Sequence, residues 1–296
     1  MARGLARRTV LGALALPWLA GCSTPLPLVA APPADADAAR RLRESADAHG
    51  LVRYRQLDDI NVSYDGQWRP LIGRIQPEVV DAGFRGSSQE RLMPKAGLSA
   101  QAYSGERGRK TVLWRRPVSG ADARGEVAVW FNGVPSADAA LEDAAALVAE
   151  GYNLFLLGPM WLADRAMPMR MAGVERVDGR LCDVVEAWLT PGLGRSASDR
   201  IAVCIDRSDS LMRRVRFTLE GFAGTRGAVA EVDTYDHQSR FGVVWPMRSY
   251  ERVLHPVALP AHDWRVTGLD VNRGYGAEAL SGPRFMGAAE AVAAPL

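Results

Sequence analysis

The chain lacks the marks of the common enzyme sites. No Gly-x-Ser-x-Gly elbow is present, since Gly194-Arg195-Ser196-Ala197-Ser198 fails at its last position. There is no P-loop and no Gly-x-Gly-x-x-Gly behind a strand, so the usual phosphate and dinucleotide cradles are not indicated. Only four histidines occur, His49, His237, His255 and His262. The last two flank a proline-rich turn at a spacing that suits no metal, and they read as surface side chains. No run of five or more like charges suggests a tail for nucleic acid or membrane. There is no internal repeat. Cysteine is scarce, at three.

What is present begins at the N-terminus. Arg3, Arg7 and Arg8 precede an apolar run, Val10 to Leu16, which is closed by Leu19-Ala20-Gly21-Cys22. A basic start, a short apolar core and small residues before a cleavage point mark an export signal, residues 1–21. Leu-Ala-Gly-Cys resembles the lipobox of bacterial lipoproteins at all four positions. That resemblance implies a diacylglycerol thioether on Cys22, cleavage before it and acylation of the new amine. Several acyl chains on one residue anchor stably where one would not. An uncleaved membrane span is the alternative, and Pro17, Pro25, Pro27, Pro32 and Pro33 oppose it. Arg7-Arg8-Thr9-Val10-Leu11 also resembles a twin-arginine signal, without its usual serine and phenylalanine. Ser23, where an aspartate would imply retention at the inner membrane, favours the outer membrane facing the periplasm.

Processing resets the charge. Three of the 36 basic residues leave with the signal, so 33 face 34 acidic ones and the net charge falls to −1. A nucleic-acid partner is therefore not expected. With Cys22 assigned to lipid, an even pair remains, Cys182 and Cys204, in a compartment where disulfides persist.

Residues 22–34 form a Pro/Ala-rich tether. A helix follows, capped by Asp35 or Asp37 and stopped by Gly50. A second helix is expected from Ser136 to Glu150, ended by Gly151, and the apolar run Tyr152 to Leu162 is ambiguous in type. The rest reads as strands, including Leu57–Tyr64, Phe84–Leu92, Thr111–Trp114 and Val127–Phe131. The second half is most regular. Val174–Val177 meets Asp178-Gly179, a strong hairpin signal, and Leu181–Leu189 returns. Val215, Phe217 and Leu219 alternate with Arg214, Arg216, Thr218 and Glu220, a half-buried strand. Further strands are Arg200–Asp206, Val229–Tyr235, Val243–Val253 and Trp264–Val271. Short turns between them predict an antiparallel meander around a core, with one domain over 35–274 and a loose tail over 275–296. Placing Cys182 opposite Cys204 also sets Val185 against Ile201, with the parity of a cross-strand disulfide; two free thiols are the alternative.

Two clusters could carry chemistry. Asp233, Asp236 and His237 could form an acid–base group near a strand end, or an ordinary polar strand end. Met160, Met167, Met169 and Met171, with Trp161, offer polarizable apolar surface for greasy ligands, or gap-filling in a core.

The order of anchor, helix, strands, helical insertion and hairpins resembles the superfamily of the lipoprotein carriers LolA and LolB. The residues that carry the resemblance are Val177-Asp178-Gly179-Arg180-Leu181-Cys182, then Ile201–Asp206, Leu211–Phe217 and Gly242-Val243-Val244-Trp245-Pro246. It implies an α+β, mainly β fold: a curved antiparallel sheet, an unclosed β-barrel, with helices over its concave face. It also implies a cavity for acyl chains, lipid or a lipoprotein, expected here to be lined by Trp130, Phe155, Met160, Trp161, Met169 and Phe217. The expectation is thus a lipid-anchored binding protein without catalytic residues, metal or cofactor. A non-transporting envelope scaffold of the same fold, with a solid core, is the alternative. An enzyme using Asp233, Asp236 and His237 is a third.

Changing Cys22→Ala should abolish acyl labelling and release the protein from membranes. Equal membrane binding of this variant would remove the anchor.

Overall fold

In the computed structural model, residues 26–27, 29–117 and 124–280 are described; residues 1–21, Cys22 and residues 281–296 lie outside them. Thirteen strands form one antiparallel sheet. Six come first: β1 (Ile60–Trp68), β2 (Ser87–Met93), β3 (Leu98–Gly105), β4 (Gly108–Arg115), β5 (Glu126–Phe131) and β6 (Val134–Pro135). Seven follow: β7 (Met169–Val177), β8 (Arg180–Leu189), β9 (Asp199–Asp206), β10 (Met212–Thr218), β11 (Val229–Arg240), β12 (Val243–His255) and β13 (Leu259–Val271). Each group is a meander, and β1 joins them by pairing with β13, so β6 and β7 are the free edges. The sheet is curved but not closed, as the sequence predicts.

The helices are α1 (Ala36–His49), α2 (Leu51–Tyr54), α3 (Pro70–Ile75), α4 (Pro77–Val80) and α5 (Ala139–Leu162). The Asp35 carboxylate accepts from the Asp37 and Ala38 N–H groups and starts α1. Gly50 stops it at φ 97°, where a β-carbon would also stand 2.6 Å from the Gly242 carbonyl oxygen. The expected Asp-Gly hairpin is formed: Val177 pairs with Arg180, and Asp178 and Gly179 both have positive φ, the two-residue turn that matches strand twist.

The connection from β6 to β7 is α5, which runs through the trough of the sheet. Its cap is Asp138, which accepts from the Ala140 and Leu141 N–H groups, rather than Ser136. Gly151 does not end it. Glycine costs a helix about 1 kcal/mol, whereas each buried Leu, Phe or Met beyond it contributes roughly 1.5–3 kcal/mol. Tyr152 to Leu162 therefore remain helical, and every residue from Ala144 onward is buried. The helix bends only at Gly158 (φ 46°, ψ −124°), just before Pro159. A side chain at Gly158 would meet Met212 at 2.8 Å. By length and composition α5 could cross a membrane; here the sheet and α1 enclose it.

Side-chain parity divides the sheet. Val185, Ile201, Val203, Val215, Phe217 and Val232 join α1 and α5 in the main core. Their neighbours Cys182, Val184, Ala202, Cys204 and Val229 form a second cluster on the outer face with Leu26. Residues 26–35, mostly the end of the expected tether, cross this outer face. Leu26 is buried, the Pro27 carbonyl accepts from Arg200, the Val29 carbonyl accepts from Trp188 at 2.9 Å, and Asp35 holds the Met171 N–H. At the other end, Tyr275 lies under Arg91 and Leu280 is buried with Leu98 and Ala100. The folded part therefore reaches Leu280, into the segment expected to be a tail.

The expected disulfide is not formed; both cysteines are free and buried. Cys182 pairs with Asp206 and Cys204 with Val184, so Val185 faces Val203 rather than Ile201. The turn is centred one residue later than parity alone assumed, because Asp199 gathers it. The Asp199 carboxylate accepts from the Leu193 N–H (2.8 Å), the Thr218 hydroxyl (2.6 Å) and the Glu220 N–H (3.2 Å). The cysteines become diagonal neighbours, roughly 7–8 Å apart, where a disulfide needs less than ~7 Å between α-carbons. Labelling of the denatured, unreduced protein should find both Cys182 and Cys204 as thiols. An oxidised pair would overturn this register.

Candidate functional site: an apolar cavity between sheet and helix

The first half of α5 does not fill the trough. Between it, α3 and strands β10, β12 and β13 lies a cavity of about 350 Å³, within the usual range of roughly 300–1,000 Å³ for ligand pockets. Its walls are mainly apolar. Leu147, Val148, Gly151, Tyr152 and Phe155 come from α5, Ile72 and Ile75 from α3, Phe217 from β10, and Leu259 and Ala261 from β13. Gly151 leaves space that any side chain would occupy, since the nearest atom to its missing β-carbon is Phe155 Cζ at 3.6 Å. Trp68 closes one side, stacked on His262 at 4.3 Å between ring centres. At the rim Gln76 Nε2 donates to the Gly224 carbonyl (2.7 Å), joining the segment before α4 to the loop that leads into β11.

Of the six residues expected to line a cavity, the structure brings two to it, Phe155 and Phe217. Met160 and Trp161 lie at the far, packed end of α5. Trp161 is held between the guanidinium groups of Arg165 (3.7 Å) and Arg116 (4.7 Å), both of which pair with the fully buried Glu150. Met169, at the start of β7, packs against the main core from its margin. Trp130 sits on β5 with the parity opposite to Val129 and Phe131, whose side chains join the cluster containing Ala145 of α5. The methionines thus fill core, and the cavity lies one turn and more toward the N-terminus of α5.

The alternative catalytic cluster does not converge. Asp233 is on the outer face, paired with Arg214 and Arg252 within a network that includes Glu175, Arg216 and Glu231. Asp236 lies within β11 at positive φ. His237 donates from Nε2 to the Met212 carbonyl (3.1 Å) and accepts from Arg213 at Nδ1 (3.0 Å), and burial lowers it to about 3. His262, expected at the surface, is buried, as is His49. His49 is fixed as a neutral ring, donating from Nδ1 to the Val244 carbonyl and accepting the Met212 N–H at Nε2; burial lowers it to about 4. No group of three or more His, Cys, Asp or Glu suited to a metal occurs among the described residues.

Sequence reasoning passed over the polar side of the cavity. Glu251 lines it from β12, 9% exposed. The signal was in the strand: Val243, Trp245, Met247 and Ser249 share its inward parity, so Glu251 is a charge at a core position. A second buried carboxyl, Glu90, accepts from Tyr64 (3.1 Å) and Gln101 (2.9 Å). Burial raises each to about 7, against the pull of Arg85. Arg85 itself donates to the Tyr152 hydroxyl and the Val79 carbonyl, and lies 3.9 Å over Tyr103.

No family model matches the chain, and no curated protein matches it. Among solved structures it is similar to a DUF1329 family protein from Desulfovibrio piger, at 12% identity and a TM-score of 0.48, covering 81% of this chain and 99% of that one. It is also similar to a LolA superfamily protein from Nitrosomonas europaea, at 11% identity and a TM-score of 0.48 over 81% and 97%. The lipoprotein LppX from Mycobacterium tuberculosis matches at 14% identity and a TM-score of 0.28, over 64% and 91%.

The buried carboxyls set a pH dependence. A carboxyl whose folded pKa lies above its unfolded value binds the proton more tightly when folded. It adds stability below about 4.5 that is lost as pH rises through about 7. The buried histidines act oppositely, and only below about 6.5. Stability should therefore fall from about pH 6 to about pH 8. The isosteric Glu90→Gln, which keeps partners for Tyr64 and Gln101, should flatten that fall when the melting temperature is followed.

Proposed function

We propose that this protein is a lipid-anchored component of the bacterial cell envelope that binds a hydrophobic ligand, an acyl chain or similar, in the cavity beside α5. The observation that carries the reading is the cavity itself: an unfilled, mainly apolar space in an otherwise packed core, with a side open to the surface. A ligand of that kind gains by removing apolar surface from water, at roughly 25 cal/mol per Å². The solid-core scaffold reading accounts for the methionine end of α5 but not for the space left at Gly151.

The surroundings of the mouth support the same reading. Leu71, Ile75 and Val257 are large apolar side chains exposed there, and Arg74 on α3 and Arg226 on the rim make no ion pair among the described residues. Apolar tips with unpaired basic residues suit the interface of an anionic bilayer. The N-terminal strap points the same way. Leu26 packs with Val229 and Leu254, which border the loops around the mouth. Cys22 precedes Leu26 by four residues, a reach of at most roughly 14 Å. Lipidation at Cys22 would hold the mouth close to the membrane in which the anchor sits, outer or inner. The Ser23 reading favours the outer one.

Mass spectrometry of lipids that co-purify with the protein tests the reading directly. A second test uses Gly151→Leu, which places a side chain in the cavity on a helix that tolerates it. Uptake of a fluorescent probe with an uncharged alkyl chain should fall on the order of tenfold, about 1.4 kcal/mol, while the melting temperature holds or rises. Unchanged uptake would place the ligand elsewhere, and no uptake by the unmutated protein would leave the scaffold reading.

A further inference from the structure

The cavity has one feature that an acyl chain does not need. Its wall carries a single carboxylate among the described lining residues, Glu251. This side chain is more than nine-tenths buried and makes no hydrogen bond or ion pair with any described residue. Polar groups around it do not pair with it, and Arg226 on the rim, an exposed side chain, makes no ion pair with it. Its cross-strand neighbour His262 has its ring stacked between Trp68 and Tyr152 and makes no ion pair with it, and Nδ1 of that ring is itself buried without a partner. The Tyr152 hydroxyl of α5 accepts a hydrogen bond from Arg85 and makes none with Glu251. Arg85 spends its two terminal nitrogens on that hydroxyl and on the Val79 carbonyl.

Burying a carboxyl without a partner costs free energy that burying a leucine of similar size would not. Other inward positions of β12 are filled by apolar side chains, Val243, Trp245, Met247 and Val253, or by the small Ser249, and none of them carries a charge. Apolar ligands alone would be served better by an apolar residue at 251. The unused acceptor has a direct chemical reading, which rests on the cavity being the binding site.

We propose that Glu251 recognises the head of the ligand, and that the ligand class is an amphiphile carrying a hydrogen-bond donor, a hydroxyl or an ammonium group, on an apolar chain. Such a head enters with its chain along Phe155 and Phe217 and donates to the free carboxylate oxygens. A fatty acid would present a second carboxylate to the ionised Glu251 and be disfavoured in this orientation by like charge. The group is poised for the role, because burial keeps its proton affinity near neutrality, so pairing with a donor recovers an ionised form that the empty cavity disfavours.

The experiment uses the full-length chain reconstituted in lipid nanodiscs. It is irradiated with photoreactive probes of equal chain length that end in a hydroxyl, an amine, a carboxylate or a methyl group, and labelled cavity-wall peptides are quantified. The hydroxyl or the amine probe should label the wall on the order of tenfold more than the carboxylate probe, the ratio that a hydrogen bond to a charged group supports. Which of the two leads identifies the head group. In Glu251→Leu the four probes should label alike, and the melting temperature should not fall, since an unpaired buried carboxyl is removed. Equal labelling in the unmutated protein, or a preference that survives Glu251→Leu, would overturn the proposal while leaving the cavity reading intact. Failure of every probe, the methyl-ended one included, to label the wall would remove the cavity reading instead.

Discussion

Burial of α5 in the trough of the sheet is the contact on which the rest of the structure depends. The sheet ends in two edges that do not meet, and α5 is the chain that joins them. An unclosed sheet of this size leaves its concave apolar face to be covered, and one long helix, apolar nearly all round, covers most of it. That is why the helix survives a glycine in its middle and bends, rather than ending, at Gly158-Pro159. It also explains why the sequence of α5 could pass for a membrane span: a helix enclosed by protein faces the same demand for apolar side chains on every side.

The two ends of α5 meet the sheet differently. Toward its C-terminus, Met160 and Leu162 interdigitate with the strands, and at mid-helix Glu150 accepts from Trp114 and pairs with Arg116 and Arg165. Buried charges of this kind are tolerated because they are paired and hydrogen-bonded. Nearer its N-terminus, Leu147, Val148 and Gly151 border the cavity, and the space that Gly151 leaves is lined rather than filled. One helix thus acts as core at one end and as cavity wall at the other. Glu150 and Glu251 mark the contrast: both are buried, but only the first has its partners within the chain.

The outer face is not bare either. β7 and β8 bring Glu175 against Arg214 and Arg216, and the strap from Leu26 to Asp35 lies over neighbouring strands. Asp233, with His237 a candidate for catalysis when read along the chain, is absorbed into this ion-pair network, while His237 faces the Met212 carbonyl and Arg213. Proximity in sequence put them together; the partners each takes, Arg214 and Arg252 for Asp233 and Arg213 with the Met212 carbonyl for His237, set them apart.

Much of the fold was legible in the sequence because its signals are local. Strand alternation such as Val215-Arg216-Phe217 fixes which face is buried, Asp178-Gly179 can hardly form anything but a tight hairpin, and Asp35 and Gly50 bound α1 by capping chemistry alone. The quantities that depend on distant packing were not legible. Gly151 read as a helix stop because the burial that overrides it comes from strands up to a hundred residues away. The cysteines read as a cross-strand pair because Asp199, which shifts the register, takes its partners from Thr218 and Glu220. Trp130, Met160, Trp161 and Met169 have the composition of a ligand wall, yet whether an apolar side chain lines a space or fills it is decided by what packs opposite. Sequence by itself determined the class of fold and the inward position of Glu251. Only the tertiary structure decided that the space beside it is empty, because a cavity is a mismatch between surfaces that no single segment contains.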